Sequence, residues 1–342
     1  MLFWKLVRIL LILLLCPMVA RAKIIFISTS TPLGPDRYIY VMNDDGSDKT
    51  LVYDGKPRIW DTRWTPTGQI VFESQTKLYR INPDGTGLEE LAAPGGERIG
   101  DFTVSPDGKK IMFDWTERID GTAVTSVRVL DIETGKIRKI ADMNFAFPDW
   151  SPDGRHIVYS TAIVGGGGGN SLWIMDADGR NPRQLDLPPP RAAGLNVNVA
   201  AWGPRWSPNS QQIVYTQEHF TWEPHGNGLA LIRKALYIVI CDRNGKTIRQ
   251  LKVPKNLDAA SFAWIDGGRS ILFTGWERVL NRVPLEKEEP SRSIYKYNLR
   301  TDEMVQITNH PGDDSDIDWI SDDVLSVTPQ GKKKVTWGAI KE

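Results

Sequence analysis

Runs of β-branched and aromatic residues recur along the chain: Ile70-Val71-Phe72, Ile111-Met112-Phe113, Ile157-Val158-Tyr159, Ile213-Val214-Tyr215 and Ile271-Leu272-Phe273. Each is too short for a helix and is bounded by Gly, Pro, Asn or Asp, so each predicts a buried strand. A fixed phrase precedes them, at Trp64-Thr65-Pro66-Thr67-Gly68, Val104-Ser105-Pro106-Asp107-Gly108, Trp150-Ser151-Pro152-Asp153-Gly154 and Trp206-Ser207-Pro208-Asn209-Ser210. Looser copies stand at Trp264-Ile265-Asp266-Gly267 and Trp319-Ile320-Ser321-Asp322. Pro presets φ and Gly accepts positive φ, so the phrase predicts a tight reversal between two strands.

Each unit continues with alternating residues, as in Leu78-Tyr79-Arg80-Ile81 and Leu172-Trp173-Ile174-Met175, which predict a third strand. A second turn follows, as at Asn43-Asp44-Asp45-Gly46, Asn82-Pro83-Asp84-Gly85 or Asp242-Arg243-Asn244-Gly245, and then a short fourth strand such as Val305-Gln306-Ile307. Four antiparallel strands repeated about six times define an all-β, six-bladed β-propeller. The chain enters mid-unit at Ile24-Ile25-Phe26-Ile27 and ends on Asp316-Ile317-Asp318-Trp319, so N- and C-terminal strands are expected to share one blade and close the ring. Residues 324–340, with the turn-like Val327-Thr328-Pro329-Gln330-Gly331-Lys332, either extend that blade or begin a seventh.

Residues 1–22 read as a secretory signal: Lys5 and Arg8, then Ile9 to Leu15, then Ala20-Arg21-Ala22, with cleavage expected after Ala22. The apolar run is short for a span, so no membrane-crossing segment is expected in the mature 23–342 domain. Leu15 before Cys16 argues against lipidation. The expected location is periplasmic or secreted. Only Cys241 then remains, in the apolar Leu236-Tyr237-Ile238-Val239-Ile240-Cys241 run, where a buried thiol is expected and no intrachain disulfide is possible. Removing the leader leaves 39 basic against 42 acidic side chains, without the basic field a nucleic-acid partner needs.

The Trp-Ser-Pro-Asp-Gly units, together with Ile307-Thr308-Asn309-His310-Pro311 leading to Asp318-Trp319, resemble the TolB-type propeller repeat across 23–342. Such repeats occur in a periplasmic translocation protein and in propeller domains attached to prolyl peptidases. The resemblance implies a binding propeller in the cell envelope. The translocation protein carries an α/β domain before its propeller, where only the leader is read here, so its Tol–Pal role is not carried over.

No Gly-x-Ser-x-Gly elbow exists, which disfavours a hydrolase. His219 and His225, with Glu218 or Glu223, could hold zinc or manganese if their segment is one long loop, but the spacing matches no strict motif, and neither a metal nor another cofactor is expected. His156 reads as a blade-surface residue and His310 as a structural hydrogen-bonder. The Asp-rich turns at 43–48 and 176–179 lack the glutamate that completes a calcium loop, and the glycines at 165–169 lack a phosphate-loop ending.

Blade geometry offers more than any motif. Connections from second to third strand, and from blade to blade, leave one face, whereas the tight turns leave the other. The long insertions 114–126, 160–171, 187–202, 216–235 and 274–293 all fall on the first face. Candidate binding residues there are Trp115, Arg118, His219, Trp222, His225, Trp276 and Arg278, set against the alternative that these aromatics pack their own loops. A second candidate is the channel mouth, where Asp61, Arg63, Asp101, Asp149, Arg205 and Asp318 precede the anchors; the alternative is pairing with neighbouring blades. The expected function is non-catalytic binding of a protein or peptide partner. The alternative is a carbohydrate-binding or polysaccharide-lyase-like propeller, with metal at His219/His225.

Overall fold

The computed structural model describes residues 23–327 apart from 32–33, 56–57, 94, 96, 144–145, 162–170, 188–196, 226–227 and 279–290. In it the repeated phrase is a hydrogen-bonded turn whose every residue has a task. The Gly108 and Gly154 amides donate to the Ser105 and Ser151 carbonyls at 2.8 Å, with φ of 70° and 74° at the glycines. The buried serine hydroxyls accept from the Lys110 and His156 amides at 2.9 Å and donate to Asp107 and Asp153 at 2.6 Å. Ser207 repeats this with Asn209 and Gln212.

Six four-stranded antiparallel sheets follow among the described residues. Blade 1 joins the two chain ends: β24 (Asp314–Ile320) is innermost, then β1 (Lys23–Ser28), β2 (Tyr38–Asn43) and β3 (Thr50–Tyr53). Blade 2 is β4 (Ile59–Trp64), β5 (Ile70–Ser74), β6 (Lys77–Ile81) and β7 (Glu89–Ala92). Blade 3 is β8 (Arg98–Val104), β9 (Lys110–Ile119), β10 (Thr122–Asp131) and β11 (Ile137–Ala141). Blade 4 is β12 (Ala146–Trp150), β13 (His156–Ser160), β14 (Leu172–Asp176) and β15 (Arg183–Gln184). Blade 5 is β16 (Asn198–Trp206), β17 (Gln212–His225), β18 (Gly228–Asp242) and β19 (Thr247–Gln250). Blade 6 is β20 (Leu257–Ile265), β21 (Ser270–Glu277), β22 (Ser293–Asn298) and β23 (Met304–Gln306).

The shared blade closes the ring as expected, with β1 and β24 paired from Lys23↔Ile320 to Ser28↔Asp314. There is no seventh sheet among the described residues. After β24 the chain forms a short helix, α1 (Asp322–Val327), whose Val324 and Leu325 pack on the seam between blades 1 and 2. The turn-like copy at 328–332, the leader and the glycines at 165–169 lie outside the described residues. No helix among the described residues is long and apolar enough to cross a membrane.

The core sits at the seams. Ile25, Ile27 and Ile39 of blade 1 meet Trp64, Ile70 and Phe72 of blade 2. Val214 and Ile238 of blade 5 meet Phe262, Trp264 and Phe273 of blade 6, and Cys241 is buried between blades 4 and 5. The anchor tryptophans thus glue blade to blade, and truncating one costs roughly 3–5 kcal/mol.

Two of the insertions are not loops. Residues 114–126 and 216–235 extend the β9–β10 and β17–β18 hairpins, the second paired from Gln212↔Asp242 to His225↔Gly228 with a register shift between His219 and Phe220. Phe220, Thr221, Trp222 and Ile232 favour the extended backbone, so the ladder runs on beyond the blade.

Candidate functional site

Six inner strands, each touching the next, line the axis of the ring. All six carry a bulge a few residues before the anchor, at 59–62, 99–102, 146–149, 202–205, 260–262 and in β24. Phe147, Gly203, Ser261 and Asp316 stand at positive φ, each three residues before its anchor. An inserted residue bends the strand and re-aims its side chains. Two layers of polar groups result: Asp61, Asp101, Ser261 and Asp316 in one, and Arg63, Thr103, Asp149, Arg205 and Asp318 in the other.

These groups bond blade to blade. Asp318 accepts from the Trp64 amide at 2.8 Å, Asp61 from Phe102 at 3.3 Å, and Asp101 from Phe147 at 2.9 Å. Asp149 accepts from Trp206 at 2.6 Å, and Ser261 from Ile317 at 3.0 Å. At the seam between blades 5 and 6, the Trp264 indole donates to the Arg205 carbonyl at 3.1 Å. Every seam therefore has at least one such bond. The geometry gives these residues a structural duty in addition to the lining of the axis.

Charge is concentrated here. Arg63 is ion-paired with Asp61, and burial of its guanidinium is outweighed by Asp61, Asp318, Asp316 and Asp149, which hold it above its ordinary value. Burial pushes Asp149 up to about 6 against the pull of Arg205. Burial, with Asp61 as a like-charged neighbour, pushes Asp316 up to about 6. Asp101 and Asp318 are raised by burial too, and Arg205 is lowered by it. Five carboxyl groups share the axis with two guanidiniums, and burial opposes the charge of Asp101, Asp149, Asp316 and Asp318.

On the insertion-bearing face, the candidates from sequence divide. Trp115 is 1% exposed and packs with Ile99, Phe102 and Phe113; it belongs to the core because alternation along β9 turns it inward. His219 is 8% exposed, sits edge-on to Tyr237 at 4.9 Å, and is lowered in pKa by burial. His219 and His225 lie six residues apart on extended β17, roughly 20 Å at the usual rise, so they cannot share a metal ion. Among the described residues no group of three His, Cys, Asp or Glu could hold a metal. His156 lies near Arg243, and His310 bonds Asp314 at 2.7 Å, a structural contact.

The remaining candidates lie at the surface. Arg118 pairs with Glu97 at 2.7 Å on the β9–β10 hairpin. Trp222 is 37% exposed and edge-on to Phe220 at 5.9 Å. Arg278 caps the Lys255 carbonyl at 3.3 Å and lies 3.9 Å from Asp258. Asp258, fully buried, is bonded by Arg233 at 2.5 Å; Arg233 is also paired with Glu218. This bridge ties the long hairpin of blade 5 to β20. Half-buried Trp276 lies under the Arg292 guanidinium, 4.7 Å from ring centroid to Cζ.

Sequence reasoning missed a neighbouring group. Trp60, 50% exposed at the start of β4, carries the Arg58 guanidinium at 4.1 Å and the Arg37 guanidinium at 4.9 Å. The available signal was Arg58-Ile59-Trp60, an aromatic placed where the strand leaves the insertion-bearing face.

The fold and the axis define a six-bladed β-propeller of four-stranded blades. No family model matches the chain. Among solved structures, it is similar to TolB from Acinetobacter baumannii, with TM-score 0.61 and 14% identity over 87% of this chain and 66% of that one. It therefore spans slightly less than two thirds of that TolB. A putative TolB from Agrobacterium tumefaciens matches with TM-score 0.56 and 14% identity, over 84% and 88% of the two chains. Oligogalacturonate lyase from Vibrio parahaemolyticus matches with TM-score 0.51 and 11% identity, over 82% and 78%. At these identities the likeness establishes the propeller fold, of the type seen in TolB structures.

Proposed function

We propose that this protein is an exported, non-catalytic propeller that binds a protein or peptide partner on its insertion-bearing face. The observation that carries the reading is the contrast between the two faces. One has uniformly tight turns fixed by their own Ser, Asp and Gly bonds. The other bears two projecting hairpins and exposed Trp and Arg side chains, the residue types that dominate recognition surfaces. The likeness to TolB structures supports the same reading, as does the leader-like sequence of residues 1–22 for an envelope or secreted location.

The test is affinity capture from an envelope extract with protein lacking the first 22 residues, alongside a glycan array. A specific protein partner is expected, lost when the β17–β18 hairpin is cut back. Replacing Trp222 and Trp276 together by Ala is expected to weaken capture roughly tenfold or more with little change in melting temperature. Unchanged capture by the double variant would remove both residues from the site. The likeness to oligogalacturonate lyase favours a second reading, carbohydrate binding on the same face. Glycan binding with no protein partner would decide for it.

A further inference from the structure

Three arginines on the insertion-bearing face come from three consecutive blades. Arg292, just before β22, comes from blade 6; Arg37, just before β2, from blade 1; Arg58, just before β4, from blade 2. Arg58 and Arg37 lie over the Trp60 ring, and Arg292 lies over Trp276. Arg37, lowered in pKa first by its burial, is lowered further by Arg58 and Arg292, so the three share one field. Asp316 and Asp313 oppose this, and the Asp313 carboxylate accepts the Arg292 backbone amide at 3.0 Å, yet none of the three guanidiniums has a side-chain ion pair among the described residues. Arg37 Nε is buried with no hydrogen-bond partner.

Like charges crowded together without bonded counter-ions are costly to hold. Stacking on an indole fixes a guanidinium by its flat face and leaves its edge of N–H donors for a planar oxyanion. We propose that this arc binds carboxylates of an acidic segment of a polypeptide partner, an inference that rests on the partner-binding reading above. A peptide fits better than an acidic polysaccharide for two reasons. The π surfaces of Trp60 and Trp276 are engaged by arginines, which leaves less bare ring for a sugar to stack on. The axis inside the arc carries the carboxyl groups of Asp61, Asp101, Asp149, Asp316 and Asp318, acceptors that suit a chain with carboxylates on one stretch and neutral or basic residues on the next better than a uniform polyanion.

Selection of a random-peptide display library against the purified protein tests this directly. Enriched sequences are expected to carry clustered Asp and Glu beside neutral or basic residues. The same selection on Arg37→Gln/Arg58→Gln/Arg292→Gln is expected to lose that bias. A selected peptide should bind about tenfold more weakly for each arginine removed, and more weakly still at high salt. Arg58→Lys, which keeps the charge but not the fork, should retain only part of the affinity. Thermal melts of each variant exclude unfolding as the cause.

Failure to enrich any peptide, enrichment without acidic bias, or the same acidic bias on the triple variant overturns the proposal. Oligogalacturonate binding that the triple variant loses, without acidic peptides, overturns it in favour of sugar. Capture of one partner equally by wild type and triple variant removes the arc but leaves the partner-binding reading standing. Absence of any captured partner removes the reading itself.

Discussion

Glu73 shows how burial sets chemistry at a single residue. It is 2% exposed; one oxygen accepts the Thr76 amide at 3.0 Å and the other has no hydrogen-bond partner. Gln75 and Thr76 stand at positive φ, so Glu73 fastens a strained two-residue turn. Burial pushes its carboxyl up to about 7, with Asp61 adding to the rise and Arg98 opposing it. The folded state thus holds a proton that the unfolded chain has released between about pH 4 and 7, and stability falls as pH rises through that window. Glu73→Gln keeps the acceptor and removes the charge. It is expected to raise the urea midpoint at pH 8, by on the order of 1 kcal/mol or more in stability, and to change it little at pH 4. A midpoint equal to wild type at pH 8 would contradict this. Asp318 offers a second case, since it accepts both the Trp64 and Trp319 amides at 2.8 Å. Asp318→Ala orphans the Trp64 amide inside a seam and is expected to cost about 1–3 kcal/mol, whereas Asp318→Asn should lose less. Equal losses in the two variants would show that the seam bond is not the cause.

At the scale of elements, the β17–β18 hairpin projects beyond its blade and is held by Arg233 between Glu218 and Asp258. Burial raises the Asp258 carboxyl, while Arg233 and Arg278 favour its charge. Arg233→Ala leaves that carboxylate buried without its bonded partner, and a loss of roughly 3 kcal/mol is expected. Adding Asp258→Asn to Arg233→Ala should recover part of the loss, which a double-mutant cycle by chemical denaturation would measure. The elements also show what periodicity could and could not reveal. The Ser-Pro-Asp-Gly turns were legible because Pro, Gly and short polar side chains act within a few residues of one another. The long hairpins read as loops because polar positions such as Glu218, Thr221 and Glu223 interrupt the apolar run, and nothing local announces that Leu236, Ile232 and Ala230 will pair across from them.

At the scale of the molecule, the ring closes because β24, far along the chain, pairs with β1. Removing residues 312–342 deletes the inner strand of blade 1 and exposes the edge of β1. Loss of the cooperative thermal transition, with early protease cleavage near the N-terminus, is expected; a truncated chain that melts like the full one would refute that role for β24. The same adjacency predicts that a permutant opened at the Asp120-Gly121 turn, its old ends linked, keeps the fold.

The sequence by itself determined the repeat, the turn chemistry, the number of strands per blade and the sharing of one blade by both ends. These rest on short-range signals copied several times, so each copy corroborates the others. It also put Asp61, Arg63, Asp101, Asp149, Arg205 and Asp318 on the inner strands, because the anchors fix those strands, and left open whether they line the channel or pair with neighbouring blades. Only the tertiary structure decided which groups face what. Bulges shift the alternation of side chains in every inner strand, so the axial carboxylates bond across seams, while Trp115 and His219, on the second strands of their blades, are turned inward to pack. Arg37, Trp60 and Arg292 lie far apart in the chain and become neighbours because three blades converge on one rim. Such proximity depends on how the ring closes, and no local pattern of residues encodes it.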